Sequence, residues 1–96
     1  MAPVDDEPVL TATATVVNEQ GLHARPVGEL ARLAQRFRAT ISVRGPGGEA
    51  DASSILQMLG LQAPKGSVLE FSARGADAQD ALAALCGLVE RGFGEP

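Results

Sequence analysis

His23 is the only histidine in the chain, and it stands in the run NEQGLHARPVGELA (18–31) with Arg25 two places on and Pro26 three. A neutral imidazole offers a nucleophilic ring nitrogen at physiological pH. A guanidinium offers a planar fork of donors matched to phosphate oxygens. From Ala24 onward Val27, Leu30, Ala31 and Ala34 fall on one helical face, so His23 sits where a loop becomes a helix. Pro26 belongs in the first turn, where its missing N–H is not needed. A helix start leaves the N–H groups of Ala24, Arg25 and Val27 without partners in the helix and carries about half a positive charge. It therefore suits a neutral ring and stabilises an anion placed on that ring. Together these groups could carry a phosphoryl group on nitrogen. The plainer reading is a histidine that caps the helix beside an exposed cation, and the residues alone leave both open.

Other chemistry is poorly represented. Cys86 lies mid-helix on an apolar stripe and reads as a small core residue. One cysteine excludes an internal disulfide and offers no metal spacing, so neither a metal nor a cofactor is expected. The carboxylates show no paired acid and base arrangement. GPGG (45–48) lacks the Lys-Ser/Thr sequel of a phosphate-binding loop and reads as a hairpin turn. Twelve acidic against eight basic residues, a net charge of −4, argue against a nucleic-acid partner. No apolar run approaches the ~20 residues of a membrane span, and no signal-peptide pattern opens the chain. Membrane insertion is not expected, and the location expected is cytoplasmic.

The elements that must position His23 follow from periodicity. Ninety-six residues make one domain. Residues 1–8, acidic with two prolines, read as a disordered leader, leaving 9–96 to fold. Residues 9–17 alternate threonine with apolar side chains as a half-buried strand does. RATISVR (38–44) alternates likewise, and the turn at 45–48 returns the chain into EADA. Ser53 or Ser54 caps the short apolar helix ILQML, closed by Gly60. VLEFSAR (68–74) is the last strand. Asp77 is expected to cap a final helix whose stripe is Leu82, Leu85, Cys86 and Val89. The order β–α–β–β–α–β–α, with strands that pair antiparallel and helices on one face, is a two-layer α+β fold.

GLHARP followed by an apolar helix, with SSILQMLGLQAPKGSVLEFSARGADAQDAL further on, resembles the HPr family. Its members are the histidine-containing phosphocarriers of the bacterial phosphoenolpyruvate:sugar phosphotransferase system. The likeness covers about residues 9–92. It implies an open-faced β-sandwich of four antiparallel strands with three helices on one face. It also implies that His23 accepts a phosphoryl group on Nδ1 from phosphorylated enzyme I and passes it to a sugar-permease IIA component. Gly21, Leu22, Ala24 and Pro26 match the rest of the motif, and Arg25 matches the arginine that helps hold the phosphoryl oxygens. Ser54 matches a serine that some bacteria phosphorylate with a dedicated kinase, slowing transfer and recruiting a transcriptional regulator.

The same resemblance points to docking residues: Ala24, Gly28 and Arg32 on the first helix, and Ile55, Leu56 and Leu59 on the short one. Part of that apolar trio is expected in the core. Gln20, Ser53, Gln35 and Gln57 depart from residues common in the family. Fewer lysines imply weaker electrostatic steering toward acidic partners. The expected molecule is a monomeric carrier rather than an independent catalyst. The alternatives are a nitrogen-related phosphorelay carrier and a regulatory module of the same fold that transfers nothing.

Overall fold

In strand β1, Leu10–Thr15, the threonines at 11, 13 and 15 face solvent while Ala14 is buried. The same alternation runs through β4, Val68–Arg74, where Leu69, Phe71 and Ala73 point inward. In β2, Thr40–Gly45, Ile41 and Val43 point inward. Period-two burial of this kind means a sheet with one covered face and one wet face. The computed structural model describes residues 7–96, so most of the leader expected at 1–8 lies outside the described residues.

The four strands lie in the order β1-β4-β2-β3, with β3 spanning Gly48–Asp51, and every neighbouring pair is antiparallel. Thr13 pairs with Glu70 across one seam and Ser42 with Ser72 across the next. Three helices complete the fold: α1 (Ala24–Ala34), α2 (Ile55–Leu59) and α3 (Ala78–Glu90). The long helix α3 packs on β1 and β4, while α1 packs on both other helices. This is the open-faced sandwich expected from the sequence.

Helix α1 buries Pro26, Val27, Gly28, Leu30, Ala31 and Ala34, a single apolar stripe. Helix α3 buries Leu82, Leu85, Cys86 and Val89 as expected, with Ala78 and Ala81 beside them. Burial, and next the nearby Glu90 carboxylate, push the Cys86 thiol above its ordinary value. It is a core residue.

Three local expectations need correction. First, only Met58 of α2 is buried, and Ile55, Leu56 and Leu59 are all exposed. Five residues make little more than one turn at about 3.6 residues per turn, so one side chain anchors the helix. Leu61 and Ala63, just beyond it, fill the core below instead. Second, Gly60 closes α2 as expected, but at φ −69°, in right-handed territory and not in the left-handed conformation common for a closing glycine, and the nearby left-handed residue is Gln62 at φ 49°. Third, Asp77 occupies the cap position of α3, but its carboxylate accepts from the Arg38 backbone N–H at 2.8 Å rather than from the helix. It fastens the α1–β2 connection. The expected strand at 9–17 is also shorter, because Val16 leaves the ladder to bond Ser67 and Gly66.

Candidate functional site

The loop before α1 is pinned from below. Asn18 is buried, and its Nδ2 donates to the Gly21 carbonyl at 2.8 Å. Gly21 adopts φ +67°, and a Cβ there would lie 2.5 Å from the Ala63 carbonyl oxygen, so glycine is required. The next N–H, of Leu22, donates to that carbonyl at 2.9 Å, with the Leu22 side chain in the core. The loop is thereby fixed on both sides of the turn, and His23 follows as the N-cap of α1 with extended backbone. Its side chain makes no capping bond to the helix, and its ring is a third exposed. The sequence placed the ring correctly at the helix start and in contact with solvent.

The ring's partner comes from the far end of the chain. After α3 the backbone turns sharply through Gly92 (φ +65°), Phe93 (φ 57°) and Gly94 (φ +73°), with Phe93 buried. Beyond it the Pro96 carbonyl accepts from the Glu19 N–H at 2.8 Å. This return brings the Glu95 side chain between His23 and Arg25. One carboxylate oxygen, Oε1, lies 2.7 Å from His23 Nε2 and accepts from Asn18 Nδ2 at 2.7 Å. The other, Oε2, accepts from Arg25 Nε at 3.0 Å and from the same guanidinium's Nη2. Arg25 also donates to Glu29 Oε1 at 2.7 Å and to the Phe93 carbonyl at 2.9 Å.

These donors hold the Glu95 carboxyl down at about 2, the His23 bond first, then Arg25 and then Asn18, with burial opposing them. The reciprocal bond to Glu95 raises Arg25 above its ordinary value. An ionised carboxylate can only accept, so the Nε2 that faces it must be the protonated ring nitrogen. In that tautomer Nδ1 keeps its lone pair. Tautomer control by a partner on the opposite ring nitrogen is the device that orients catalytic and metal-binding imidazoles generally.

Glu95 and Asn18 were missed by sequence reasoning. Glu95 lies 72 residues from His23, beyond any local periodicity. The one available signal was GFG at 92–94, where two glycines flanking an aromatic mark a chain reversal. Arg25 was expected beside the ring, and it is there, with its fork engaged by Glu95 and Glu29.

The remaining expected residues fall into two groups. Ser54, not Ser53, is the cap of α2, its Oγ accepting from the Gln57 N–H at 3.2 Å. Ser53 instead donates through its hydroxyl (2.7 Å) and its N–H (2.8 Å) to Asp51. Those two bonds hold the Asp51 carboxyl below the usual range. On α1, Ala24 and Arg32 are exposed, and the Arg32 guanidinium lies over buried Gly28, where a Cβ would come within 3.3 Å of it. Leu56 is 82% exposed, on the helix that packs beside α1. No cluster of His, Cys, Asp and Glu suited to a metal occurs among the described residues, and no helix among them is long and apolar enough to cross a membrane.

This geometry can be set against known proteins. The family model described as "PTS HPr component phosphorylation site" matches residues 10–91. Phosphocarrier protein NPr of Escherichia coli K12 is 39% identical over 84 residues, 86% of this chain and 93% of that protein. The multiphosphoryl transfer protein of Escherichia coli O157:H7 is 41% identical over 97 residues, and the match takes in 98% of this chain but 25% of that longer protein. Among solved structures, HPr-C-His from Thermoanaerobacter tengcongensis superposes with a TM-score of 0.84 at 34% identity. That superposition covers 91% of this chain and 98% of the other. With its sheet order, its histidine at the start of the first helix and a family match across nearly the whole described fold, the chain belongs to the HPr family of phosphotransferase-system phosphocarriers.

Proposed function

We propose that His23 is the phosphoryl acceptor and that Nδ1 is the reacting atom. The observation that supports this is the bond between His23 Nε2 and Glu95, which in a neutral ring makes Nε2 the donor and puts the lone pair on Nδ1. The Nδ1 lone pair attacks phosphorus as the donor's bond to phosphorus breaks and its electron pair returns to the donor. No proton leaves Nδ1, and the ring keeps its proton on Nε2. The positive charge gained by the ring then faces the Glu95 carboxylate. The phosphoryl oxygens meet the start of α1 and the Arg25 guanidinium, interactions worth about 1 kcal/mol each at a partly exposed site. Modest stabilisation suits a carrier that has to hand its cargo on. Because the docked partner supplies the rest of the transfer geometry, no base or metal of the carrier's own is required.

The donor in this reading is phosphorylated enzyme I, charged from phosphoenolpyruvate, and the recipient is a sugar-permease IIA component, all in the cytoplasm. The exposed trio Ile55, Leu56 and Leu59, with Ala24 and Arg32 on the adjoining helix, forms the docking surface, whereas Gly28, expected there, is buried beneath the Arg32 guanidinium. A phosphate on Ser54 would put about two negative charges beside Ile55 and Leu56. A serine kinase acting there would hinder an acidic partner and could favour a transcriptional regulator. The second reading is a nitrogen-related relay with the same chemistry and other recipients, and the similarity to phosphocarrier protein NPr favours it.

Incubation with phosphoenolpyruvate and enzyme I tests the shared core of both readings. The expected product carries one phosphate that is lost in acid and retained in base, as a phosphoimidazole is. An acid-stable product would assign the chemistry to serine. Offering sugar-branch and nitrogen-branch IIA proteins in turn then separates the two readings.

A further inference from the structure

A cleft of about 340 Å³ opens between α1 and the end of α3, lined by Glu29, Arg32, Leu33, Arg36, Leu88 and Arg91. Twelve acidic residues outnumber eight basic ones in this chain, so carboxylates abound for pairing. Arg25, Arg44 and Lys65 each face one. The guanidiniums of Arg32, Arg36 and Arg91 face none among the described residues, and all three side chains are exposed. Like charges gathered at one concave opening repel each other and concentrate a field that draws anions in. Two glycines inside the helices make room for this arrangement. A Cβ on Gly28 would come within 3.3 Å of Arg32 Nη1, and one on Gly87 within 3.1 Å of Arg91 Nη1. Each arginine follows its glycine by four residues, the spacing that lays a long side chain back along its own helix. Glycine is the least favourable helix residue after proline, yet it stands twice where a guanidinium lies.

We propose that this cleft binds a small organic diphosphate, with the chemistry of a nucleoside diphosphate. Guanidinium forks match phosphate oxygens two at a time. A single carboxylate would answer one of the three cations, whereas a diphosphate answers most of them. Glu29 does not cancel the attraction, because its Oε1 is held by Arg25 at 2.7 Å and its Oε2 is buried. The floor of the cleft is Leu33 and Leu88, partly buried against the core. An apolar floor under polar walls suits a ligand with a flat body better than a bare inorganic anion, and the volume lies within the roughly 300–1,000 Å³ of small-ligand clefts. Guanidiniums also stack on flat rings, which favours a nucleobase over an aliphatic body. A short, bounded cleft holds such a molecule whole but only a fragment of an acidic peptide. Neither His23 nor Glu95 lines it, so the proposal stands apart from the acceptor chemistry.

The test is an NMR titration of the whole isotope-labelled protein with magnesium-free ADP at low salt, following backbone amides and arginine side-chain N–H signals. Saturable shifts are expected at Arg32, Leu33, Arg36, Leu88 and Arg91. Adenosine, which lacks the phosphates, should give no saturable shift, and inorganic pyrophosphate, which lacks the flat body, should bind more weakly than ADP. Arg36→Gln and Arg91→Gln should each weaken ADP about fivefold, the scale of one charge-assisted contact at an exposed site. Arg38→Gln is the control, because Arg38 is exposed but lies outside the lining of the cleft. It should leave the affinity unchanged. Absence of saturable shifts with ADP overturns the proposal, as does equal weakening by Arg38→Gln, which would mark attraction to bulk charge. Tighter binding of pyrophosphate, or of a hexaglutamate peptide, overturns it too. Thermal unfolding of each variant confirms that folded protein is being compared.

Discussion

His23 Nε2 and Glu95 Oε1 lie 2.7 Å apart, joining the start of the first helix to the segment that follows the last one. In the proposed function a carboxylate there holds the neutral ring's proton on Nε2, which makes Nδ1 the nucleophile. The same carboxylate holds Arg25. One acidic side chain thus links the ring's tautomer to the availability of its neighbouring cation.

Acid should dissolve this link at an unusually low pH. The folded-state value for Glu95, about 2, lies below its ordinary 4.5. A carboxyl depressed by folding contributes stability that is fully present above its unfolded value and is lost as pH falls through the folded one. The Glu95 contribution should therefore persist down to pH 4.5 and fade as pH approaches about 2. A carbon NMR titration of the Glu95 side chain is expected to show a midpoint near 2, and a midpoint near 4.5 would show that the contacts to His23 and Arg25 do not form in solution.

Asn18→Asp tests the floor of the site. Asn18 Nδ2 donates both to the Gly21 carbonyl and to Glu95 Oε1. Aspartate has the same shape but brings a buried negative charge to face two acceptors. Loss of about 3 kcal/mol or more is expected in chemical denaturation, because an unpaired buried charge is costly. Asn18→Ala should cost less, about 1–3 kcal/mol. The reverse order would contradict the assigned donor role.

Gly21→Ala should be among the most damaging single-methyl additions in the chain. The new Cβ would meet the Ala63 carbonyl oxygen at 2.5 Å while the backbone stays at φ +67°. Strain at such a position costs about 1–3 kcal/mol before the clash is counted. Thermal unfolding measures the loss, and histidine phosphorylation of the surviving folded fraction should slow because the loop presents His23. An unchanged melting temperature would mean that the loop sits elsewhere.

Leu56→Ala and Met58→Ala divide α2 into docking and anchoring roles. Leu56 is exposed and Met58 is fully buried. The first substitution should leave stability within about 0.5 kcal/mol and slow phosphoryl acceptance from enzyme I. The second should cost about 2–5 kcal/mol. Steady-state transfer rates beside denaturation curves check both, and normal transfer by the Leu56 variant would remove that residue from the docking surface.

Much of the fold was legible because its determinants are local. Period-two strands at 68–74 and the 3.6-period face of Val27, Leu30, Ala31 and Ala34 each state their own burial. His23 at a helix start could be read from Pro26 and the apolar spacing that follows. The errors arose where local signals were weak or tertiary. A one-turn helix has no periodicity to show that Met58 alone anchors it. Asp77 looks like a helix cap by type, yet its partner is the Arg38 N–H, which only the folded chain brings near. Glu95 was invisible for the same reason: a single glutamate after a glycine-rich turn carries no sign of its destination.

The most direct measurement is the position of phosphorus on the charged carrier, read from phosphorus–nitrogen and long-range proton couplings of the His23 ring. The account predicts phosphate on Nδ1 with the proton retained on Nε2. Phosphate on Nε2, or on any residue other than His23, would contradict it.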